Sequence, residues 1–145
     1  MGEKHEGDRM YKKIVVAVDV SALEKGERIL RTATNLLDTG GMILIVNVVE
    51  DMPAYLVSEL TVDLTVAARQ DAERLLVELR EKAGIEADIE IRQGAPAREI
   101  LAASEEQGAD LIIVASHIPD LSNYLIGATA DRVVRHATCS VLVDR

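Results

Sequence analysis

The chain has 145 residues, 48% of them hydrophobic, and its only aromatic side chains are three tyrosines. That length fits one domain, and the core has to be built from Val, Ile, Leu and Ala, the composition of buried parallel strands faced by helices. A formal net charge of −9 excludes general affinity for nucleic acid, the single cysteine Cys139 excludes an internal disulfide, and no apolar run approaches the roughly 18 residues of a membrane span.

The leader MGEKHEGDRM is polar, and residues 1–11 are expected to be a flexible leader before a folded unit over residues 12–145. No signal-peptide pattern is visible, so a cytoplasmic location is expected. Ile14 to Val18 is continuous, β-branched and apolar, and predicts a central strand. Ser21 with Glu24 three positions later has the form of a capping box opening a helix. Leu23, Ile29, Leu30, Ala33, Leu36 and Leu37 supply its inner stripe, and Gly40-Gly41 is expected to stop it. Ile43 to Val49 is a second apolar strand. A long helix is predicted from Val57 to Lys82, with Leu64, Ala68, Leu75, Leu76 and Leu79 facing inward and Gly84 closing it. From Ala87 to Arg92, Ile89 and Ile91 alternate with Glu90 and Arg92, the pattern of an edge strand with one wet face. Gly94-Ala95-Pro96 turns into a third helix that ends at Gly108. Leu111 to Ala115 is a fully apolar fourth strand. A loop and a helix ending near His136 follow, with Asp131 early and Arg132, Arg135 and His136 late, as the helix dipole prefers. Val141-Leu142-Val143 is a short last strand.

The resulting βαβαβαβαβ succession has crossovers long enough for parallel pairing. Buried first, second and fourth strands with an alternating third fit an α/β domain of five parallel strands in the order 3-2-1-4-5. The ligand crevice of such a sheet lies at the carboxyl ends of the first and fourth strands, at Val18-Asp19 and Ala115-Ser116-His117.

The segments VAVDVS, ILIVNVVE, RQGAPAREI, ADLIIVASHIPD and LIGATADRVVRHATCSVLV together resemble a universal stress protein, and the resemblance runs from Lys12 to the C-terminus. It implies a three-layer, Rossmann-like single domain of the adenine nucleotide alpha-hydrolase type. Nucleotide-binding members of the family carry Gly-x-x-Gly, nine further residues, then Gly-Ser or Gly-Thr. Here Ala115 and Ile118 stand in place of the first two glycines. Eight residues separate Ile118 from Gly127, and Ala128 follows where a hydroxyl residue is usual. The wording SHxPDxxxYLxG is similar to a branch of the family with a shorter, proline-stiffened loop.

The resemblance assigns Asp19 to the adenine or ribose end of a nucleotide, with Ala17, Val18 and Val48 flanking the base. The other reading of Asp19 is a helix cap beside Ser21, and that of its neighbours is core packing. Gly94 permits close backbone approach to ribose or phosphate, or simply a turn of positive φ. Ser116 and His117 are candidate donors to phosphate, as are Ser122 and Asn123, which also suit helix caps. Asp120 is a weak candidate for Mg²⁺. Gly127, Ala128 and Thr129 are the main phosphate candidates, because a helix start offers unpaired N–H groups and partial positive charge. Gly127 has a packing alternative.

The reading is an ATP-binding regulatory protein of the stress response, with Mg²⁺ as the accompanying ion. The alternative is a nucleotide-independent dimeric interaction protein with a degenerate site. Catalysis is not expected: the chain has no Walker A Gly-Lys-Ser/Thr, no SGGxDS loop and no visible triad. A homodimer is expected through Val141, Leu142 and Val143 of the last strand, with a tetramer allowed and a further protein partner unidentified. Ser140 replaces the proline common before that strand in similar proteins.

Overall fold

A computed structural model describes residues 11–116 and 126–145. The elements in chain order are β1 (Tyr11–Ala17), a 3-10 turn (Val20–Ala22), α1 (Leu23–Leu36), β2 (Leu37–Val49), a second 3-10 turn (Ala54–Leu56), α2 (Glu59–Ala83), β3 (Asp88–Gln93), α3 (Pro96–Gln107), β4 (Leu111–Ala115), α4 (Ala128–His136) and β5 (Ser140–Asp144). The five strands form one sheet in the order β3-β2-β1-β4-β5, every pairing parallel. This is the architecture expected from the sequence.

Alternation along the strands explains why the central ones read as unbroken apolar runs. Ile14, Val16 and Val18 pack with Ile29 and Leu30 of α1 and with Leu76 and Leu79 of α2. Val15 and Val46 point the other way, with Ile112 and Val114, onto Ala97, Ile100 and Ala103 of α3 and Val133 of α4. Both faces of β1, β2 and β4 are therefore covered, so each position needs an apolar side chain regardless of parity.

The local expectations fare unevenly. Gly84 and Gly108 end α2 and α3 in left-handed conformation, and Pro96 opens α3. The Ser21–Glu24 capping box is not formed. Asp19 caps the 3-10 turn that precedes α1, its Oδ1 accepting from the Ser21 N–H at 2.8 Å and the Ser21 hydroxyl at 2.6 Å, and no side chain caps α1 itself. Gly40-Gly41 does not stop α1, because Leu37 is already extended (φ −79°, ψ 131°). The pair sits instead in an irregularity of β2, where the register against β1 jumps from Tyr11↔Leu37 to Lys13↔Met42. A Cβ on Gly41 would lie 2.8 Å from the Lys12 carbonyl oxygen, so the strand crossing is too close for any side chain there. The polar face of β3 is not simply wet. Arg92 binds Glu99 at 3.0 Å, Glu106 at 2.7 Å and Glu90 at 2.8 Å beneath α3. Burial alone would lower the affinity of that guanidinium for its proton, but the carboxylates outweigh it and raise its pKa. Leu64 and Ala68 are exposed, and α2 buries only Ala72, Leu76 and Leu79, all in its second half.

At the amino end of the sheet, Asp110 ties the entry of β4 to β1. Its carboxylate accepts from the Lys12 and Lys13 N–H groups, each at 2.9 Å, and its own N–H donates to the Lys13 carbonyl at 2.9 Å. Backbone bonds to an ionised carboxylate are among the stronger net contributions. Asp110→Ala is expected to lower stability by roughly 1–3 kcal/mol, seen as a lower urea midpoint with an unchanged slope. An unchanged midpoint would show that water replaces the carboxylate without loss.

Candidate functional site

The carboxyl ends of β1, β2 and β4 converge where the chain leaves β1 in one direction along the sheet and re-enters at β4 in the other. A cavity of about 370 Å³ opens there, within the roughly 300–1,000 Å³ typical of small-molecule sites. It is lined by Ala17 at the end of β1 with Val18 and Asp19 just beyond, by Val46, Asn47 and Val48 of β2 with Glu50 just beyond, by Pro96 and Ile100 from α3, by Val114 and Ala115 from β4, and by Thr129 from α4.

Six of the residues singled out in the sequence thus face one space: Ala17, Val18, Asp19, Val48, Ala115 and Thr129. Gly94 is close by but is not part of the lining. It is buried in the turn before α3, and its N–H donates to the Val49 carbonyl at 3.0 Å. Ser116 is also buried behind the lining, and its backbone is engaged on both sides: its N–H donates to the Asp144 carbonyl at 2.8 Å, and its carbonyl accepts from Lys25 Nζ at 2.8 Å. His117, Asp120, Ser122 and Asn123 lie outside the described residues.

Gly127 occupies the N-cap of α4 with φ 87° and ψ 150°, and no side chain caps the helix. Only glycine takes that backbone without strain. Its carbonyl accepts the Asp131 N–H at 2.9 Å, which closes the first turn. Thr129 in that turn faces the cavity, while Ala128 is exposed.

Asn47 is the main feature the sequence reading passed over. It is a buried polar residue in the middle of an apolar strand, and its Nδ2 donates to the Val18 carbonyl at 2.8 Å. The Val18 N–H donates to the Val46 carbonyl at 2.9 Å. The last peptide groups of β1 are therefore held by β2 just before Asp19 departs. The lone amide in ILIVNVV was the available signal. Val46, Ile100 and Val114 were also passed over, because core packing explains them without any ligand, as were Pro96, which reads as a helix start, and Glu50, an exposed residue just past β2.

The electrostatics of this space are lopsided. Asp19 and Glu50 bring two carboxylates to the lining, and no described lining residue is cationic. The stretch from His117 to Gly127 contains no lysine or arginine either. The fixed positive contributions evident among the described lining residues are the amino ends of α3, at Pro96, and of α4. Among the described residues no group of three or more His, Cys, Asp or Glu side chains is arranged to hold a metal ion.

Comparison with known proteins places this geometry in context. The sequence profile of the universal stress protein family matches residues 10–145. Universal stress protein MJ0531 of Methanocaldococcus jannaschii is 32% identical over 142 residues, covering 94% of this chain and 84% of that one. The solved structure of the universal stress protein UspA from Lactobacillus plantarum superposes with a TM-score of 0.76 at 21% identity, covering 95% of this chain and 100% of the other. A universal stress protein solved in complex with cAMP superposes with a TM-score of 0.62 at 21% identity, covering 92% and 95% of the two chains. At those identities the two structures speak for the fold, and the profile match and the archaeal relative speak for kinship. The chain belongs to the universal stress protein family.

Proposed function

We propose that the chain is a regulatory protein that binds an adenine nucleotide, ATP with Mg²⁺, in the crevice at the carboxyl ends of β1 and β4. The observation that carries this reading is the cavity itself, which lies at the reversal point of the sheet and joins Asp19, Ala17 and Val48 to Thr129 in the first turn of α4. Asp19 suits the base or ribose and the amino end of α4 suits phosphate. A universal stress protein of the same fold has been solved in complex with cAMP, which supports an adenine-bearing ligand here.

The nucleotide-independent reading has its own observation: a lining with two carboxylates and no cation is a poor host for a bare polyphosphate. The two readings meet on the state of the ligand. A metal-complexed nucleotide carries less charge into the crevice, so Mg·ATP is the species the site favours. In either reading the response passes through a partner. β5 is the outer strand of the sheet, with Val141, Leu142 and Val143 half-buried, and an outer strand with unpaired backbone groups is a template for a second copy.

Nothing here requires turnover. Cys139 has its thiol pKa raised by burial and secondarily by the Asp110 carboxylate, the opposite of an activated nucleophile.

Calorimetric titration with ATP tests the reading directly. Binding is expected in the presence of Mg²⁺ and to weaken at least about tenfold in chelator; no heat in either buffer supports the nucleotide-independent alternative. Asp19→Asn keeps an acceptor for the Ser21 N–H and removes the charge. It is expected to weaken adenine nucleotide binding about tenfold, the equivalent of one charge-assisted hydrogen bond, while binding of inorganic triphosphate is unchanged or stronger. Equal losses for both ligands would remove Asp19 from the base end. For the dimer, Leu142→Glu is expected to halve the mass in sedimentation velocity, and an unaltered mass would assign the seam elsewhere. Cys139 is expected to alkylate more slowly than free cysteine at mildly alkaline pH in the folded protein and at the free rate in urea; equal rates would mean that burial does not hold its proton.

A further inference from the structure

The first half of α2 is out of keeping with the rest of the molecule. Its second half buries Ala72, Leu76 and Leu79 against the sheet, but Leu60, Val62, Leu64 and Val66 are each about half exposed or more, Leu60 reaching 68%. Tyr55, in the 3-10 turn just before, is 85% exposed. A surface helix ordinarily shows one apolar stripe, toward the core. At about 100° per residue, Leu60 and Leu64 form one row, Val62 and Val66 form a second row well round the helix, and Glu59 and Asp63 form a carboxylate ridge between them on the outermost side. A groove of about 460 Å³ runs beside the second row, between the 3-10 turn and α2, with Met52 and Val57 also in its wall. Arg69 closes its far end, its guanidinium donating to the Ile91 carbonyl at 3.1 Å and Gln93 Oε1 at 3.4 Å.

The two rows lie on either flank of the carboxylate ridge, and with Tyr55 they leave more apolar side chains exposed together than the singly scattered ones of an ordinary surface.

Charge decides what covers it. The ridge and the groove wall carry the carboxylates of Asp51, Glu59 and Asp63, and the cation in the groove lining is Arg69, whose guanidinium is turned to the Ile91 carbonyl and Gln93. A second copy of the chain would bring carboxylate ridge to carboxylate ridge, which opposes association. An anionic lipid surface is repelled in the same way. A helix with leucine-like residues on one side and lysine or arginine among them satisfies both the apolar rows and the ridge. We propose that the first half of α2 and the turn before it form the docking surface for a basic amphipathic helix of a partner protein. This surface is separate from the crevice and does not depend on what the crevice binds.

The test uses the full chain and a fluorescent synthetic helix of about 18 leucine and lysine residues, long enough to cover the face, with a glutamate-for-lysine counterpart. Anisotropy at near-physiological salt is expected to show binding of the lysine helix and none of the glutamate helix. The paired substitutions Leu60→Ser and Leu64→Ser leave the charge untouched and alter exposed side chains only. They are expected to weaken binding at least about tenfold, as is the pair Glu59→Lys and Asp63→Lys. Glu81→Lys with Glu105→Lys, away from the face, is expected to stay within about twofold, and urea midpoints confirm that every variant folds. Equal loss in this control pair would reduce the effect to net charge and overturn the proposal. No loss in the serine pair would overturn it too. So would a smaller sedimenting mass for the serine pair without peptide, which assigns the face to a second copy, or binding of anionic phosphatidylglycerol vesicles that the serine pair abolishes, which assigns it to a membrane.

Discussion

Strand β1 is committed on all four of its sides. Its edges are hydrogen-bonded to β2 and β4, and its faces are covered by α1 and α2 on one side and by α3 and α4 on the other. A strand so enclosed has one place left at which its backbone can meet a ligand, the carboxyl end where it leaves the sheet. The rest of the molecule follows from that restriction. Val18 is held by Val46 and Asn47 of the next strand, Asp19 turns the chain out of the sheet, and the crevice opens beside it. At the opposite end Asp110 fastens the same strand to the entry of β4. The crevice is thus bounded by rigid backbone, which gives a site that is largely formed before anything enters it.

Charge sets the second constraint. A helix start attracts an anion over about one turn, while Asp19 and Glu50 repel one from inside the same space. The altered stretch from His117 to Gly127 adds no fixed cation. Without neutralisation of its phosphates, a nucleotide meets attraction at one wall and repulsion at another, so a counter-ion belongs in any account of occupancy. The chain is acidic as a whole, and both the crevice, through Asp19 and Glu50, and the outer ridge of α2, through Glu59 and Asp63, share that character.

The layout of the sheet was legible in the sequence because enclosure writes itself into composition. Ile14 to Val18, Ile43 to Val49 and Leu111 to Ala115 are apolar at every position, and only strands covered on both faces need that. Pro96, Gly84 and Gly108 marked helix ends for reasons local to the backbone. What could not be read depended on distant neighbours. Ser21 and Glu24 had the right spacing for a cap, but the chain enters through a 3-10 turn that Asp19 caps, so Ser21 lies inside that turn and Ala22 stands at the start of α1. Gly40-Gly41 looked like a stop, yet its purpose is the close crossing with Lys12. Leu64 counted as core by period, although the helix has already risen clear of the sheet at that point. Of the residues lining the cavity, Asp19 was named by the family resemblance and Thr129 by its place at a helix start. Asn47 and Glu50 were not, since nothing in their immediate sequence announces a cavity.

The hydrogen bond between the Ser116 amide and the Asp144 carbonyl joins the end of β4 beside the crevice to the outermost strand. Asp144 is gripped by Arg28 through a bond of 2.6 Å, and the Ser116 carbonyl is gripped by Lys25, one turn earlier on the same helix. The mouth of the crevice, the outermost strand and α1 therefore behave as a single bracket with three arms. A tug on Ser116 has to be passed to the margin of the sheet or be absorbed by breaking one of these links, so the crevice has a short mechanical route to the outer edge of the sheet at β5.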